Sequence, residues 1–177
     1  MRRPNRFRAG PQTQNRSDAM AFDFNADDVY EIAEQIEKNG ADFYQKASET
    51  IADKYYQKFL LDLSTMEVFH QRTFAEMRAS LSGKEKKPTV FDPNDEAVLY
   101  LKALADMRVF YQKQIDMTSI ESILMAALSA EKDSIVFYLG MKDLVPEKLG
   151  RDRIDAIINE EKKHIQLLGS ELLALKK

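Results

Sequence analysis

The sequence predicts an all-α protein, a four-helix bundle in which a long helical crossover joins helices 2 and 3. Apolar residues recur every three or four positions through four long segments, as on one face of an α-helix. The link between the first two segments is very short, which predicts an antiparallel pair of helices. Residues 83–117 separate the second segment from the third, and that stretch is long enough to run the length of a bundle. Helix 3 is therefore expected to start at the same end of the bundle as helix 2.

The first two helices have recognisable boundaries. Helix 1 is predicted over about residues 26–51, after an N-cap at Asn25. Helix 2 is predicted over about residues 53–81, with Met66 on its inner face and Gly83 just beyond its end. Together these residues predict a helical hairpin at the start of the bundle.

The second half of the chain repeats this plan after the crossover. The crossover is predicted to contain a helix over about residues 95–111, which we interpret as a lid over the bundle rather than a partner-binding helix. Helix 3 is predicted to open with a capping box formed by Thr118 and Glu121 and to extend to about Lys142. Helix 4 is predicted from about residue 152 to the C-terminus.

Two parts of the chain differ in composition. Residues 1–22 lack apolar periodicity and are rich in Arg, Asn, Gln and Pro, which predicts a disordered tail or leader before a bundle domain at residues 23–177. A docking arm or targeting segment is the alternative interpretation of this tail. Residues 1–20 carry a net charge of +4, which leaves −7 for the rest of the chain. An acidic body argues against nucleic acid as a partner.

Several classes of site and location are excluded by composition. The chain has no cysteine, so it has no disulfide, no thiolate zinc site and no iron site of the rubredoxin type. Its longest apolar run, residues 123–128, is far shorter than the roughly 18–20 residues of a membrane span. We therefore expect a cytoplasmic protein with no membrane partner.

A Glu-x-x-His step occurs twice, at residues 67–70 and 161–164, and it contains both histidines of the chain. On a helix, positions i and i+3 share a face, so each step directs a carboxylate and an imidazole to the same place. Glu37 and Glu131 each lie 30 residues before one of these steps, in the middle of an apolar stripe. The whole pattern recurs after 94 residues, which indicates a tandem duplication of a helix pair.

A tyrosine follows each of the two earlier glutamates. Tyr44 and Tyr138 lie seven residues after Glu37 and Glu131, within a repeated pattern of small residues around the glutamate. We expect their hydroxyls to hydrogen-bond carboxylates on neighbouring helices and so to support the site. The alternative is that they are ordinary core tyrosines.

Four mid-helix carboxylates inside one bundle need compensation. No lysine or arginine lies near them on the inner stripes, so buried ion pairs do not explain them. Two divalent cations would balance four carboxylates, and mixed carboxylate and imidazole ligands suit iron or manganese, while zinc can also occupy such sites. The pattern matches the ligand set of dinuclear helix bundles, in which Glu67 and Glu161 are best placed to bridge the metals. The predicted ligands are Glu37, Glu67, His70, Glu131, Glu161 and His164.

At these residues the sequence resembles the ferritin-like superfamily, and within it the rubrerythrin-like proteins. The resemblance covers roughly residues 26–175, and the segments IEKNGADFY, MEVFH, AEKDSIVFY and NEEKKH carry it. It implies a four-helix bundle with a left-handed crossover, a homodimer, a role in oxidative stress and a centre of two iron ions that reacts with hydrogen peroxide or O2.

The sequence departs from rubrerythrins in two ways. It lacks their cysteine-containing rubredoxin-like domain, so a separate electron-donor protein would have to supply electrons. It also has Ser134 where rubrerythrins have an additional glutamate one turn after the helix 3 ligand. Three functions remain open at this point: an oxidoreductase, a ferroxidase in iron storage or detoxification, and a non-enzymatic metal-binding bundle.

Overall fold

Four long helices make up most of the chain that the structure, a computed structural model, describes. The described residues are 26–83, 115–145 and 147–176. They contain no strand, so the predicted all-α class is confirmed for these ranges. The elements are α1 (Ala26–Thr50), α2 (Lys54–Ala79), α3 (Ile120–Leu144), a short 3-10 helix (Glu147–Leu149) and α4 (Arg151–Ala174).

Three predictions fall on residues outside these ranges and stay predictions. They are the N-terminal tail over residues 1–22 with its domain boundary, the N-cap at Asn25 and the crossover helix over about residues 95–111. Within the described ranges, none of the helices has the length and apolar character needed to cross a membrane.

The helix ends show one error in the sequence prediction. Asp53 caps α2, since its side chain accepts a hydrogen bond from the backbone N–H of Tyr55 at 2.8 Å. The predicted capping box at Thr118 is wrong by one residue, because the N-cap of α3 is Ser119. The Thr118 hydroxyl instead donates to Asp116 at 2.6 Å. The backbone of Ser119 is extended, and its hydroxyl oxygen accepts a hydrogen bond from the backbone N–H of Ser122 at 3.3 Å, in the first turn of α3.

Contacts across the bundle fix the direction of each helix. Arg78 near the end of α2 bonds Asp27 at the start of α1, so α1 and α2 are antiparallel. At the other end of the bundle, the Thr50 hydroxyl donates to the backbone carbonyl of Met117 at 2.6 Å. The start of α3 therefore lies beside the end of α1, where α2 also begins. This confirms that helices 2 and 3 start at the same end.

Two apolar clusters fill the bundle and leave a polar layer between them. The first cluster contains Ile36 and Phe74, and the second contains Phe43 and Leu63. Along every helix, the residues of one cluster are separated from those of the other by about two to three turns. Those intervening turns contain every buried charged side chain of the described residues, which are Glu37, Glu67, His70, Glu131, Glu161 and His164.

One residue of the predicted inner face does not lie there. Met66 is 40% exposed, whereas Leu63, Glu67 and Phe74 are all buried. Adjacent residues on a helix are about 100° apart, so a stripe centred on Glu67 leaves Met66 at the rim of the bundle. The helix itself was predicted correctly, but the width of its apolar face was overestimated.

The turn between α3 and α4 requires a glycine. Gly150 has φ of 108°, in the region that disfavours any residue with a side chain. A Cβ there would lie 2.7 Å from the terminal methyl of Met77. The neighbouring backbone is held by Tyr30, whose hydroxyl donates to the carbonyl of Leu149 at 2.7 Å. Burial of this hydroxyl raises the pKa of Tyr30 to about 12.

We expect Gly150→Ala to lower the free energy of unfolding by about 1–2 kcal/mol, because alanine is strained at positive φ. Gly169 is the matched control, since it is helical and a Cβ there would have no neighbour within 4 Å. Gly169→Ala should leave stability unchanged or raise it by up to about 1 kcal/mol. Urea denaturation followed by circular dichroism measures both. Equal stabilities for the two variants would show that the turn does not depend on glycine.

Candidate metal centre

The six residues predicted from the repeated motif meet in the polar layer at the middle of the bundle. Each helix brings one glutamate, and α2 and α4 each add a histidine one turn later. No side chain of the six is more than 3% exposed. The structure therefore brings together every predicted ligand, which are Glu37, Glu67, His70, Glu131, Glu161 and His164.

The six side chains form two overlapping groups. The group around His70 includes Glu37, and the group around His164 includes Glu131. Glu67 and Glu161 belong to both groups. Within each group, one oxygen or nitrogen atom from every residue lies within 4.8 Å of the others, so a single metal ion could contact all of them.

Both imidazole rings turn the same nitrogen toward the carboxylates. His70 Nδ1 lies 2.8 Å from Glu161 and 3.5 Å from Glu37. His164 Nδ1 lies 3.0 Å from Glu161 and 3.2 Å from Glu67. The two rings are nearly parallel, with centroids 5.6 Å apart. Glu161 therefore lies between the two histidines and offers one oxygen to each.

The two tyrosines cross from one helix to the next. Tyr44 on α1 donates its hydroxyl hydrogen to Glu131 on α3 at 2.5 Å. Tyr138 on α3 donates to Glu37 on α1 at 2.5 Å. The tyrosine that follows Glu37 in the sequence therefore holds Glu131, and the tyrosine that follows Glu131 holds Glu37. The later residue on each helix thus pairs with the earlier residue on the other, so α1 and α3 are antiparallel.

Burial disfavours ionisation of the carboxylates and shifts their pKa values apart. Desolvation, together with the neighbouring Glu131 and Glu37, raises the pKa of Glu67 well above its usual value. Desolvation also raises the pKa of Glu131 to about 8, although His164 partly opposes this shift. Burial would raise the pKa of Glu161 too, but both histidines outweigh it and lower that pKa.

The histidines respond in the opposite direction. Burial alone would lower the pKa of His70, but its contacts with Glu161 and Glu37 raise it to about 11. His164 behaves in the same way, and its neighbours Glu131 and Glu161 raise its pKa to about 10. Without a metal, the cluster therefore keeps protons on both imidazoles and on buried carboxyl groups. Cations that bind here must displace those protons.

The unpaired atoms of the cluster fit a metal site. Among the described residues, five buried donor atoms of the cluster lack a hydrogen-bond partner, because they are close together without the angles that a hydrogen bond needs. These atoms are Glu67 Oε1, His70 Nδ1, both carboxylate oxygens of Glu161 and His164 Nδ1. Buried polar atoms without partners are costly, and oxygen and nitrogen donors of this kind are metal ligands.

Sequence reasoning missed one residue of the site. Glu160 Oε2 lies 2.8 Å from His70 Nε2, on the side of the ring that faces away from the cluster. Glu160 is 43% exposed and directly precedes Glu161, so its helical position suggested a solvated surface residue. The known tendency of metal-binding histidines to donate their second N–H to a carboxylate is the signal that could have identified it.

We predict that the metal-free protein melts at a lower temperature at pH 8 than at pH 6. His70, His164 and Glu131 have folded pKa values of about 11, 10 and 8, above reference values of 6.5 for histidine and 4.5 for glutamate. A group whose pKa rises on folding stabilises the fold when protonated and loses that contribution as pH rises through the folded pKa. The lowered pKa of Glu161 acts only in acid and does not compensate in this window.

Calorimetry on chelator-treated protein tests this prediction, and the same scans with divalent metal provide the control. The difference between the two pH values should shrink when metal is bound, because bound metal replaces the protons. A metal-free protein with equal melting temperatures at pH 6 and pH 8 would contradict the convergence of the carboxylates.

Comparison with known proteins identifies the fold. No protein-family model and no curated protein matches this sequence. Among solved structures, a Thermotoga maritima protein assigned to the ferritin-like diiron-carboxylate proteins is similar, with a TM-score of 0.63 and 24% sequence identity. The match covers 85% of this chain and 95% of the other. The chain therefore has the ferritin-like four-helix-bundle fold, with a buried cluster of carboxylates and imidazoles at its centre.

Proposed function

We propose that the protein binds two iron ions in the buried cluster and acts as an oxidoreductase on hydrogen peroxide or O2. The observation that carries the proposal is the pair of overlapping groups, buried and rich in unpaired donor atoms. Glu37 and His70 would hold one ion, and Glu131 and His164 the other. Glu67 and Glu161 would be shared, because they belong to both groups.

Charge supports two divalent ions rather than one. The cluster has four carboxyl groups, and among the described residues none of them pairs with a lysine or an arginine. Two divalent ions supply the four positive charges that match four carboxylates. Imidazole with carboxylate suits iron, manganese or zinc. The diiron-carboxylate assignment of the structural neighbour favours iron among these.

A pair of Fe(II) ions would supply one electron each to hydrogen peroxide or O2. The chain's own residues would keep the ions in place and exclude water, since apolar clusters close the bundle on both sides of the polar layer. The Tyr44 and Tyr138 hydroxyls would fix the orientation of Glu131 and Glu37. The chain has no cysteine and so no rubredoxin-type iron site that could pass electrons to the cluster. A separate electron-donor protein would therefore return the electrons.

One observation favours a second function, ferroxidase activity in iron storage or detoxification. Ser134 lies one turn after Glu131, is buried, and donates its hydroxyl to the carbonyl of Ala130 at 3.1 Å. A neutral hydroxyl committed to the backbone is a poor additional ligand. The six-residue set is then close to symmetric, which suits oxidation of incoming iron. We nevertheless propose rubrerythrin-like oxidoreductase chemistry in a homodimer as the main function.

Stopped-flow oxidation of the anaerobic Fe(II)-loaded protein tests the function directly. Mixing with hydrogen peroxide and, separately, with O2 should give oxidation that is faster with peroxide. Light scattering on a sizing column should give a dimer. A large cage with fast O2 oxidation and repeated uptake of iron would instead establish the ferroxidase function, and a protein that holds no iron would exclude both.

Removal of a shared glutamate should release both ions. We expect Glu67→Ala and Glu161→Ala each to reduce bound iron from about two ions per chain to near zero, because each residue belongs to both groups. Glu37→Ala should lose about one ion, and Glu76→Ala, an exposed change on α2, should lose none. Elemental analysis of the purified variants gives these counts. Full occupancy in either shared variant would refute the bridging role.

Ser134→Glu should change the preference between oxidants. A glutamate there offers an additional carboxylate on the inner face of α3, where the serine oxygen now faces its own backbone. We expect wild type to oxidise more slowly with peroxide than the variant does, so the ratio of peroxide rate to O2 rate should rise. The change Ser48→Glu on α1, beyond the polar layer, is the matched control and should leave that ratio unaltered. If Ser134→Glu leaves the ratio of peroxide rate to O2 rate unchanged, residue 134 does not determine the preference between the two oxidants.

A further inference from the structure

The cluster repeats itself at an offset of 94 residues, and this offset reveals where the repetition fails. Glu37 and Glu131 each accept from a tyrosine, and each histidine directs Nδ1 toward shared carboxylates. The Nε2 atoms, which lie on the outer side of each histidine ring, have different surroundings. His70 Nε2 has Glu160 at 2.8 Å, and the residue 94 positions before Glu160 is Met66.

Glu160 and Met66 occupy corresponding places at the rim of the bundle. Glu160 on α4 is 43% exposed on its side chain, and Met66 on α2 is 40% exposed. Only one of them can act on a histidine. A carboxylate is a strong acceptor, whereas a thioether is a weak one without charge. Within the described residues, a carboxylate therefore lies against the outer nitrogen of His70 but not against that of His164.

The contact also determines which nitrogen of His70 can bind a cation. A carboxylate accepts and does not donate, so the hydrogen between the two groups belongs to His70 Nε2. With that hydrogen on Nε2, Nδ1 is the nitrogen that would bind a cation, and it faces Glu161 and Glu37. The Glu160 charge makes this imidazole a better donor and holds the ring in place.

We propose that Glu160 is a positioning residue that makes the two metal positions inequivalent, so that the position at His70 binds its divalent ion first and more tightly. This inference rests on the proposed two-metal site and adds an order of filling to it. A carboxylate behind a metal-bound histidine typically contributes about 10–100-fold in metal affinity. The two affinities of the native protein should therefore differ by roughly that factor.

Cobalt(II) titration of variants with one position disabled tests the inference. Glu131→Ala removes a residue found only in the His164 group, and Glu37→Ala removes one found only in the His70 group. Each variant should bind about one cobalt ion, since one group stays complete in each. Adding Glu160→Gln should weaken cobalt binding about 10–100-fold in the Glu131→Ala protein and leave it unchanged in the Glu37→Ala protein.

The control is Glu171→Gln, which makes the same change of charge on α4 near its end, where Glu171 bonds Tyr55. It should alter cobalt affinity in neither background. Met66→Glu in the Glu37→Ala protein should strengthen binding, because it places a carboxylate at the corresponding rim position. An equal effect of Glu160→Gln in both backgrounds, or none in either, would overturn the inference. Failure of wild type to bind two ions would instead overturn the proposed function.

Nitrogen-15 spectra of the histidines give a readout that general destabilisation would not produce. The chain has two histidines, so the zinc-loaded protein should show two rings. One ring should have a slowly exchanging, strongly deshielded Nε2–H, and Glu160→Gln should move that signal alone. Both rings responding equally to Glu160→Gln, or neither responding, would contradict a specific contact with His70. Circular dichroism confirms that each variant is folded.

Discussion

Four carboxyl groups in the dry interior of a helix bundle are the constraint on which the rest of this structure depends. Each lies on a different helix between two apolar clusters, and none has a lysine or arginine partner within the described residues. Ionising them there without cations is costly, so the metal-free cluster retains protons on His70, His164 and Glu131 at neutral pH. The proposed metal ions would remove this conflict, because they would supply the positive charge and bind the unpaired oxygen and nitrogen atoms.

The pattern that repeats after 94 residues explains how the groups converge. Two antiparallel hairpins each bring one glutamate and one Glu-x-x-His step, and crossed tyrosine contacts join them across the bundle. An exact repeat would place the same groups around both halves of the cluster. The repeated halves differ at Glu160 and Met66, so within the described ranges the outer nitrogen of His70 has a carboxylate beside it and that of His164 does not. Unequal positions could bind and oxidise iron in a defined order, which a symmetric pair could not specify.

The sequence predicted the helices and the six clustered residues because both depend on periodicity along one helix. Burying a carboxylate on an apolar stripe costs free energy unless other groups compensate its charge, so Glu37 and Glu131 could be recognised as site residues before their partners were known. Features that depend on contacts between helices were harder to predict. Met66 and Glu160 are rim residues, and their neighbours depend on how the helices pack. The cap at Ser119 is a local difference, in which the Thr118 hydroxyl donates to Asp116 two residues earlier.

Anomalous diffraction from crystals of the iron-loaded protein tests the central claim most directly. Data on either side of the iron absorption edge locate iron without assumptions about ligands. We predict two peaks inside the bundle, one beside Glu37 and His70 and the other beside Glu131 and His164, with Glu67 and Glu161 between them. Iron bound only to surface carboxylates, or an iron-free cluster whose carboxyl groups and imidazoles contact each other directly, would contradict the account.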